Sequence, residues 1–540
     1  MKPLYLATMI ATLVASAAVP GQTQQGLRLF SAPGGTHQLQ LVDSKGELVH
    51  VWATPEDSLC THMGPDGSVL YSTFDPNNAF PGVTGRLIEK DIDSNVTWDL
   101  LLNSSQRLMH HDFFVMENGN VLVMTVDNLV RTDAIADGRD PTLLTANTWL
   151  PETIIEVQRT GPTSGQVVWE WHSADHWIQD FDPTLPNYGI VADHPELIDI
   201  NYPPVHLDVV GDVHHCNGID YDPVNDWIII SAREQNEVWM IDHGTTSAEA
   251  AGHTGGRRGR GGDLLWRWGN PEAYGRGTAA DQQLFRQHDP RFIPAGFPGA
   301  GNITIFNNQV TPTQSAVIEI ELPTDANGAP YIDPGSNAFG PAAPVWTFMA
   351  PGFYSSFVSG AQRLQNGNTL ICEGQFRRLL EIDPTGNIVW EYTDPAPGGF
   401  IFQCEFIDRS LWTRSAEHSR SATGVMSSTT IHDSALAGQT YIMLSSFSVE
   451  GSTPLPGGHQ LPFTADIVTS GMLAFPNSPL FVNTLGTLDA LGRADSQIAI
   501  PANFLNPILI GQHLGSVYVI VDSSGSIIKV SNPTQVEIVP

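Results

Sequence analysis

The amino-acid sequence predicts an all-β protein, a six-bladed β-propeller followed by a small β-sandwich domain. Three observations favour this fold class. A tryptophan-centred apolar segment recurs six times along the chain, Asn-Gly turns separate short apolar runs, and helical periodicity of any length is nearly absent. The 540 residues are enough to bury a large core, and the 50 glycines and 39 prolines suit a protein with many turns.

The first residues have the features of a secretory signal peptide. Lys2 provides a positive start, Leu4–Val19 is apolar, and Ala15–Ala17 offers a cleavage site of small residues. This apolar run is shorter than the roughly 20 residues that a transmembrane helix needs. We therefore expect a signal peptide at residues 1–17, export to the periplasm or the extracellular space, and no integral membrane segment.

The composition restricts the classes of partner. A hydrophobic fraction of 41% with 15% charged residues is typical of a globular chain. The formal net charge of −32 disfavours binding to nucleic acid or to an anionic membrane surface. An anionic substrate would need local positive charge to overcome this general field.

Six repeats form the predicted propeller, which spans residues 25–412. In each repeat a polar or histidine-bearing segment follows the tryptophan and leads into an apolar strand. The spacing from the tryptophan to the centre of the polar segment is 13, 15 and 14 residues in the second, fifth and sixth copies. This similar spacing indicates one repeated strand-turn-strand unit. The six tryptophans and the centres of their polar segments are Trp52 and His62, Trp98 and His111, Trp169 and His215, Trp266 and His288, Trp346 and Ala361, and Trp390 and Cys404.

Turns after the polar segments favour hairpins. Asn118-Gly119 and Asn366-Gly367 lie between apolar runs, and Asn-Gly is the strongest short hairpin signal because a type I′ turn needs positive φ at both central residues. In a propeller the innermost strands surround an axial channel. Residues at equivalent positions of the repeats are therefore expected to form a ring around its mouth.

Two long segments interrupt the repeats. The insertion Ser173–Asp212 is rich in Asp, His, Pro and aromatic residues, and it reads either as a lid or binding loop or as packing over a blade edge. Thr254–Gly262 is a basic, glycine-rich segment in an acidic protein. It would either recruit an anion or form a solvated surface loop.

The composition changes after the last repeat. We expect a Ser/Thr-rich linker at residues 413–432 and a β-sandwich at 433–540, where short alternating strands resume without the tryptophan repeat.

Four cysteines are present, Cys60, Cys216, Cys372 and Cys404. Export permits disulfides, and Cys60 and Cys404 would meet if the first and last blades are neighbours, but free buried cysteines are an equal expectation.

Histidines at one repeat position point to an anion site. His111, His215 and His288 occupy equivalent positions in successive copies, and Arg233 ends the strand that returns from His215. Imidazole with guanidinium suits an oxyanion. Three imidazoles would also fit zinc or copper, with Asp112 or Asp289 orienting them, but an arginine in the same cavity would repel a cation.

These motifs resemble the bacterial arylsulfate sulfotransferases, a family that does not use the nucleotide sulfate donor. The resemblance extends from about Gln38 to Glu405 and implies a six-bladed propeller. It rests on His110-His111-Asp112, on His215-Cys216-Asn217 leading to Ser231-Ala232-Arg233, on Gln287-His288-Asp289, and on Ser359-Gly360-Ala361-Gln362-Arg363-Leu364 with Asn366-Gly367-Asn368.

The resemblance implies transfer of a sulfuryl group from an aryl sulfate ester to a phenolic acceptor. His288 matches the nucleophile, which becomes a transient sulfohistidine, and no metal or cofactor is implied. The donor and acceptor are the only partners implied, and the oligomeric state is left open. The resemblance places His111, His215 and Arg233 in catalysis, where with Asn217 they hold the sulfate oxygens, and the substrate-binding residues are expected to be Asn217, His110, Ser355 and Ser359.

Two other functions are compatible with the sequence. A non-catalytic secreted propeller could bind a sulfated or glycan ligand, with the C-terminal domain as an anchoring module. A metal-dependent propeller hydrolase or lactonase could hold calcium through aspartates and asparagines at the channel.

Overall fold

The computed structural model describes residues 23–24, 26–64, 67–75, 80–203, 210–323, 334–396, 398–408, 411–413, 417–421, 424–433, 436–490, 492–531 and 533–540. The expected signal peptide at residues 1–17 lies outside the described residues, as do 204–209 of the insertion and 414–416 and 422–423 of the expected linker. Strands account for 43% and helices for 9%, so the all-β class is confirmed.

The larger part of the described chain forms six four-stranded antiparallel sheets that follow one another along the sequence. Sheet 1 contains β1 (Leu27–Ser31), β2 (Gln38–Val42) and β3 (Leu48–Ala53). Sheet 2 contains β4 (Ser58–Met63), β5 (Val69–Thr73), β6 (Arg86–Lys90) and β7 (Val96–Leu101). Sheet 3 contains β8 (Arg107–Val115), β9 (Val121–Asp127), β12 (Glu152–Gly161) and β13 (Ser164–His172), and the short strands β10 (Leu129–Val130) and β11 (Thr148–Trp149) pair with each other outside it.

Sheets 4 to 6 repeat the pattern, preceded by the short pair β14 (Trp177–Ile178) and β15 (Ile198–Asp199) of the insertion. Their strands are β16 (Cys216–Asp222), β17 (Trp227–Ala232), β18 (Glu237–Asp242) and β19 (Trp266–Trp268); β20 (His288–Phe292), β21 (Ile303–Thr311), β22 (Gln314–Ile320) and β23 (Trp346–Phe348); and β24 (Gly360–Arg363), β25 (Thr369–Glu373), β26 (Arg378–Ile382) and β27 (Ile388–Thr393). The last strand of this region is β28 (Cys404–Ile407).

The six sheets close into a β-propeller-like ring. Strand β28 follows sheet 6 in the chain but belongs to sheet 1, where it is the first strand. It pairs antiparallel with β1, with Leu27 opposite Ile407 and Phe30 opposite Cys404. The first strands β28, β4, β8, β16, β20 and β24 then contact one another in turn, and β24 contacts β28. Residues far apart in sequence are thereby brought to one axis.

Four of the six recurring tryptophans are hydrogen-bonded to the following sheet or its connections. Every tryptophan of the repeat lies in the outermost strand of its sheet. The indole N–H of Trp52 donates to Asp91 O at 2.9 Å, in the turn between β6 and β7 of sheet 2. A large apolar side chain with one bonded donor can be buried between sheets without leaving a polar group unpaired. The corresponding bonds run from Trp98 to Ser164 O, from Trp169 to Thr245 Oγ1 and from Trp266 to Gly340 O.

The hydrophobic cores lie between neighbouring sheets. Leu29 and Leu39 of sheet 1, for example, form one fully buried cluster with Tyr71 and Ile88 of sheet 2. Each inter-sheet core excludes apolar surface from water, which is the main favourable term in folding. A sheet of this ring is therefore stabilised by both of its neighbours.

The described C-terminal part contains two larger sheets around a separate core, and a two-stranded pair, β33 with β34. One has the order β29-β31-β37-β35, and the other β30-β40-β38-β32-β36, with β39 beside β38. The strands are β29 (Leu411–Thr413), β30 (Glu417–Ser419), β31 (Gly424–His432), β32 (Thr440–Ser446), β33 (Thr453–Pro454), β34 (Gln460–Leu461), β35 (Phe481–Val482), β36 (Leu485–Thr487), β37 (Arg493–Ile500), β38 (His513–Val521), β39 (Ile527–Val530) and β40 (Thr534–Val539).

The segment expected to be a linker instead contributes strands to this part. Described residues of 413–432 belong to β29, β30 and β31, and β31 pairs with β37 along most of its length. Within β31, Met426, Thr429 and Ile431 are buried. Serine and threonine occupy strands readily when a partner strand satisfies their backbone, and that partner is more than 60 residues away, at Arg493–Ile500.

Helices are few and short among the described residues, and none of them is long and apolar enough to cross a membrane. The α-helices are α1 (Arg131–Ala136), α2 (Ser247–Ala250) and α3 (Ile467–Ala474). Single 3₁₀ turns occur at Pro141–Leu143, Ser173–His176, Val191–Asp193, Pro271–Tyr274, Ala279–Asp281, Gly374–Phe376, Pro456–Gly458 and Pro507–Leu509.

The four cysteines are all free and buried, so the disulfide considered between Cys60 and Cys404 is not formed. The Cys60 thiol donates to Asp112 Oδ1 at 2.8 Å and also contacts Gln403 Nε2. The pairing assumed that the first and last blades are neighbours. Cys404 lies in β28 of sheet 1 and Cys60 in β4 of sheet 2, which are neighbours, but the Cys60 thiol is oriented towards a polar cluster instead.

A buried ion pair beside the closing strands provides a test of ring closure. Arg28 of β1 and Glu381 of β26 are 2.7 Å apart and fully buried. We expect Arg28→Met to cost about 3–5 kcal/mol of stability, because Glu381 is left as an uncompensated buried charge. The measurement is urea unfolding followed by tryptophan fluorescence, since all tryptophans except Trp412 precede β28.

The control is the double variant Arg28→Met/Glu381→Met, which removes both charges and is expected to recover most of the lost stability. Equal destabilisation of the single and double variants would show that packing, not charge pairing, holds this junction.

Candidate active site

Three histidines from three sheets meet at the axis of the ring. His111 lies in β8, His215 directly precedes β16, and His288 begins β20. The rings of His111 and His215 are in edge-to-face contact with centroids 4.6 Å apart. Phe402, just before β28, lies 5.9 Å from the His111 ring and 6.5 Å from the His288 ring. All three imidazoles are at least 93% buried.

Irregular backbone directs these side chains towards the axis. The pairing register shifts in β8 between Met109 and Phe113, and similar shifts occur at the starts of β16 and β20. His111 and His215 have φ of 47° and 44°. A β-bulge places an unpaired residue in a strand and changes the direction of its side chain. The histidines are therefore displaced from the regular pleat at the same point of each sheet.

Arg233 provides a permanent positive charge beside the histidines. It follows β17 in the turn to β18, is mostly buried, and pairs with Glu234. Burial lowers the pKa of Arg233, although the carboxylate of Glu234 acts in the opposite direction. The guanidinium still stays charged at neutral pH. Its charge in turn lowers the pKa of both His288 and His111. The sequence left the position of this residue open, and the structure places it at the site.

His288 presents a lone pair at Nε2. Its Nδ1 lies 2.7 Å from Asn308 Oδ1 and 3.1 Å from Arg286 O, and a carbonyl can only accept, so Nδ1 carries the proton. Nε2 accepts the backbone N–H of Val358 at 3.1 Å. Burial and the charge of Arg233 lower the pKa of His288 to about 3. The ring is neutral at physiological pH, which a nitrogen nucleophile requires.

His111 is oriented by its neighbour in sequence. His110 and His111 approach through their Nδ1 atoms at 3.0 Å, and His110 Nε2 lies 3.1 Å from Glu152. Burial lowers the pKa of His110, yet the carboxylate of Glu152 outweighs burial and the pKa is raised. Burial also raises the pKa of Glu152 itself. Burial and the neighbouring histidines hold the pKa of His111 well below its usual value, so its ring is neutral.

His215 is oriented by a carboxylate. Its Nδ1 lies 2.6 Å from Asp212 Oδ2, and its backbone N–H donates to Asp212 Oδ1 at 3.0 Å. Burial alone would raise the pKa of Asp212, but the partner histidine outweighs it and the pKa is lowered. Asp212 is thus an anion that accepts Nδ1–H and fixes the orientation of the His215 ring.

The remaining expected substrate-binding residues occupy different surroundings. Asn217 donates to Gln287 O at 3.1 Å, while its buried Oδ1 has no hydrogen-bond partner among the described residues. Ser355 and Ser359 are bonded to each other at 2.9 Å and to backbone groups within and beside their loop. This loop meets His288 through its backbone at Val358, whose φ of 53° is unusual for a β-branched residue.

Several residues of the site lack a sequence signal of their own. Asn308 joins His288 to the 355–359 loop, since its amide also donates to Ser355 O and Val358 O at 2.9 Å each. Glu152, Asp212 and Phe402 are likewise outside the repeat motif. Asp212 alone had a local signal, because it precedes His215 by three residues.

The aspartates that were considered as partners of a metal site have other roles. Asp112 accepts from Cys60, from Gln403 Nε2 at 3.0 Å and from backbone amides. Asp289 accepts from Arg291 Nε at 2.8 Å and from the Ala361 N–H. Burial raises the pKa of both carboxyls. Their contacts bind the first strands of neighbouring sheets together.

Comparison with known proteins gives one family. The model of the family described as Arylsulfotransferase (ASST) matches residues 14–387. No curated protein matches the chain.

Solved structures show distant likeness only. A Bacteroides caccae protein of unknown function is 14% identical with a TM-score of 0.41, covering 71% of this chain and 99% of its own. A Lactobacillus plantarum protein is 8% identical with a TM-score of 0.36, covering 71% and 100%. The periplasmic gluconolactonase of Pseudomonas aeruginosa is 11% identical with a TM-score of 0.33, covering 71% and 99%.

His214, next to His215 but turned against Trp239, allows a pH test of burial. Burial lowers its pKa to about 4. The unfolded chain takes up a proton below about pH 6.5 while the folded chain does not, so the folded state loses stability as pH falls from 6.5 towards 4. We expect His214→Gln to remove about 3 kcal/mol of this loss between pH 7 and pH 4.

Urea unfolding of both proteins across this pH range is the measurement, and the exposed His513→Gln serves as a control for loss of an imidazole. Parallel pH profiles for wild type and His214→Gln would contradict the buried neutral state.

Proposed function

This chain belongs to the arylsulfotransferase family, and we propose that it transfers a sulfuryl group between phenolic oxygens through a sulfohistidine at His288. Aryl sulfate transfer in general follows from the family. The roles of individual residues are our proposal, and one observation carries it: a neutral imidazole with its lone pair at Nε2 lies beside a buried guanidinium.

In the first step, His288 Nε2 attacks the sulfur of an aryl sulfate ester. The N–S bond forms as the bond from sulfur to the aryl oxygen breaks, and its electron pair leaves with the phenolate. Arg233 and the Nε2–H of His111 stabilise the charge on the sulfuryl oxygens. Nε2 must release the Val358 N–H for this attack, and the freed amide then becomes a donor for the incoming group.

In the second step, the phenolic acceptor takes the sulfuryl group from His288. His215 Nε2 removes the phenol proton as general base while Asp212 holds Nδ1–H. The new S–O bond forms as the N–S bond breaks, and its electron pair returns to His288 Nε2. His110 supports His111 from behind, and the second amide hydrogen of Asn217, which its bond to Gln287 O does not use, suits a sulfuryl oxygen. The donor and acceptor are the substrates, and the step needs no metal or cofactor.

Ser355 and Ser359 act through their loop in this proposal. Their mutual hydrogen bond and their bonds to backbone hold the segment that carries Val358 against His288. They would therefore position the nucleophile, in addition to any contact with substrate that the resemblance implies.

The wider organisation is also part of the proposal. The six-sheet ring is a six-bladed β-propeller, supported by the order of its strands and by its closure through β28. The C-terminal sheets, which begin at β29, form a β-sandwich. Residues 1–17 act as a signal peptide that directs the protein to the periplasm or the extracellular space.

The central test is a burst experiment with p-nitrophenyl sulfate, with and without phenol. We expect phenol to accelerate nitrophenol release by the wild-type protein and His288→Ala to lower the rate by about three orders of magnitude. Mass spectrometry of acid-free digests of the donor-treated enzyme should find one sulfuryl group on the peptide that contains His288.

His513→Ala, at an exposed position of the C-terminal part, is the matched control. Failure of the folded wild type to release nitrophenol from several donors would favour a non-catalytic ligand-binding propeller. Release that survives in His288→Ala and disappears with a chelator would favour a metal-dependent hydrolase.

Asp212→Asn tests the assignment of the general base. The amide no longer accepts Nδ1–H as an anion, so His215 loses its orientation, and we expect the phenol-dependent steady-state rate to fall about 10²–10⁴-fold. The initial burst of nitrophenol, which does not need the base, should persist. Loss of burst and steady state to the same extent would assign Asp212 to folding of the site rather than to acceptor activation.

A further inference from the structure

A second histidine cluster lies away from the ring axis, at the base of the basic glycine-rich loop. His253 precedes this loop and Asp263 follows it, and the loop ends are held together by the bond from Gly262 N–H to Gly252 O at 3.0 Å. The third member, His176, closes the 3₁₀ turn at the start of the long insertion. The cluster thus joins the two segments that interrupt the sheet repeats.

The three side chains converge on one carboxylate oxygen. His176 Nδ1 lies 2.8 Å from Asp263 Oδ1, and His253 Nδ1 lies 2.7 Å from the same atom. One donor atom from each residue falls within 4.8 Å of the other two. His176 is fully buried, Asp263 is nearly so, and His253 is 58% exposed.

The other nitrogen of His176 decides what can occupy this space. Its Nε2 lies 2.8 Å from Ala250 O, and a carbonyl only accepts, so Nε2 carries a proton. His176 therefore faces Asp263 Oδ1 with its other nitrogen, Nδ1, and either a second ring proton or a bound cation joins the two atoms. The ring cannot turn away, because it is stacked on Trp171 at an interplanar angle of 4°.

We propose that His176, His253 and Asp263 bind a first-row divalent transition metal, with Zn²⁺ as the best match. Two imidazoles and one carboxylate are a common ligand set for such ions, at about 2.0–2.2 Å from the metal. Metal-bound histidines usually donate their second N–H to a carbonyl or carboxylate, as His176 does to Ala250. Donor atoms at such distances from a metal lie more than about 3 Å apart. The Asp263 carboxylate and the exposed His253 ring must therefore each shift by a fraction of an ångström, while His176 stays in place.

The site is independent of the histidines at the ring axis. It lies beside a cavity of about 480 Å³ whose wall includes His253, Asp175 and residues of the insertion such as Tyr188. A water or a bound anion from this cavity would complete the coordination. The metal would fasten the insertion to the glycine-rich loop, because its ligands come from both.

The test is isothermal titration of Zn²⁺ into untagged, metal-free, full-length protein. We expect one saturable equivalent in the wild type and an affinity at least about 100-fold lower in His253→Gln. His194→Gln is the matched control, because His194 borders the same cavity but pairs with Glu196 instead of Asp263. Its Zn²⁺ affinity should equal that of the wild type.

Co²⁺ provides a second readout that folding alone would not change. The wild type should show visible absorption bands typical of nitrogen and oxygen ligands, and His253→Gln should lack them. The proposal is overturned if the wild type binds no equivalent of Zn²⁺, which would assign the cluster to hydrogen bonding around a protonated His176. Equal binding by wild type and His253→Gln would overturn it as well, since the metal would then lie elsewhere.

Discussion

The pairing of β28 with β1 is the interaction on which the rest of the molecule depends. The histidines of the axis belong to sheets 3, 4 and 5 and are separated by 104 and 73 residues in sequence. They meet because the first strands form a closed ring, and β28 is the strand that closes it. Phe402, which leads into β28, contacts both His111 and His288. Closure of the ring by β28 therefore also completes the surroundings of the site.

Burial and the charge of Arg233 set the charge state of two histidines of the site. The chain as a whole carries a formal charge of −32, yet at the axis the pKa values of both His111 and His288 are lowered. Desolvation opposes protonation of His111 and His288, and the charge of Arg233 opposes it further. An anion that reaches the axis meets donors and positive charge in surroundings of low polarity, where electrostatic interactions are strong. The acidic surface is thus no obstacle to chemistry on an anionic ester at this position.

One side chain type performs different tasks because the partner of its second nitrogen differs. Asn308 leaves a lone pair on His288, while His110 and Asp212 each hold Nδ1 of their partner, His111 and His215. A backbone carbonyl likewise binds Nε2 of His176 and leaves its Nδ1 facing Asp263 in the proposed metal site. Which nitrogen carries the proton is decided by neighbours from other strands and loops.

The sequence by itself determined the all-β class, the repeat and the three axial histidines, because tryptophan spacing and Asn-Gly turns are local, periodic features. It also indicated Arg233, though not its position. Only the tertiary structure decided the bulges at the histidines, the partners Asn308, Asp212 and Val358, and the strands that replace the expected linker. These features depend on strand pairing and burial between residues far apart in the chain, as does the free state of Cys60 and Cys404. A spacing pattern records which residues recur, whereas the groups that orient them come from other sheets and leave no periodic trace.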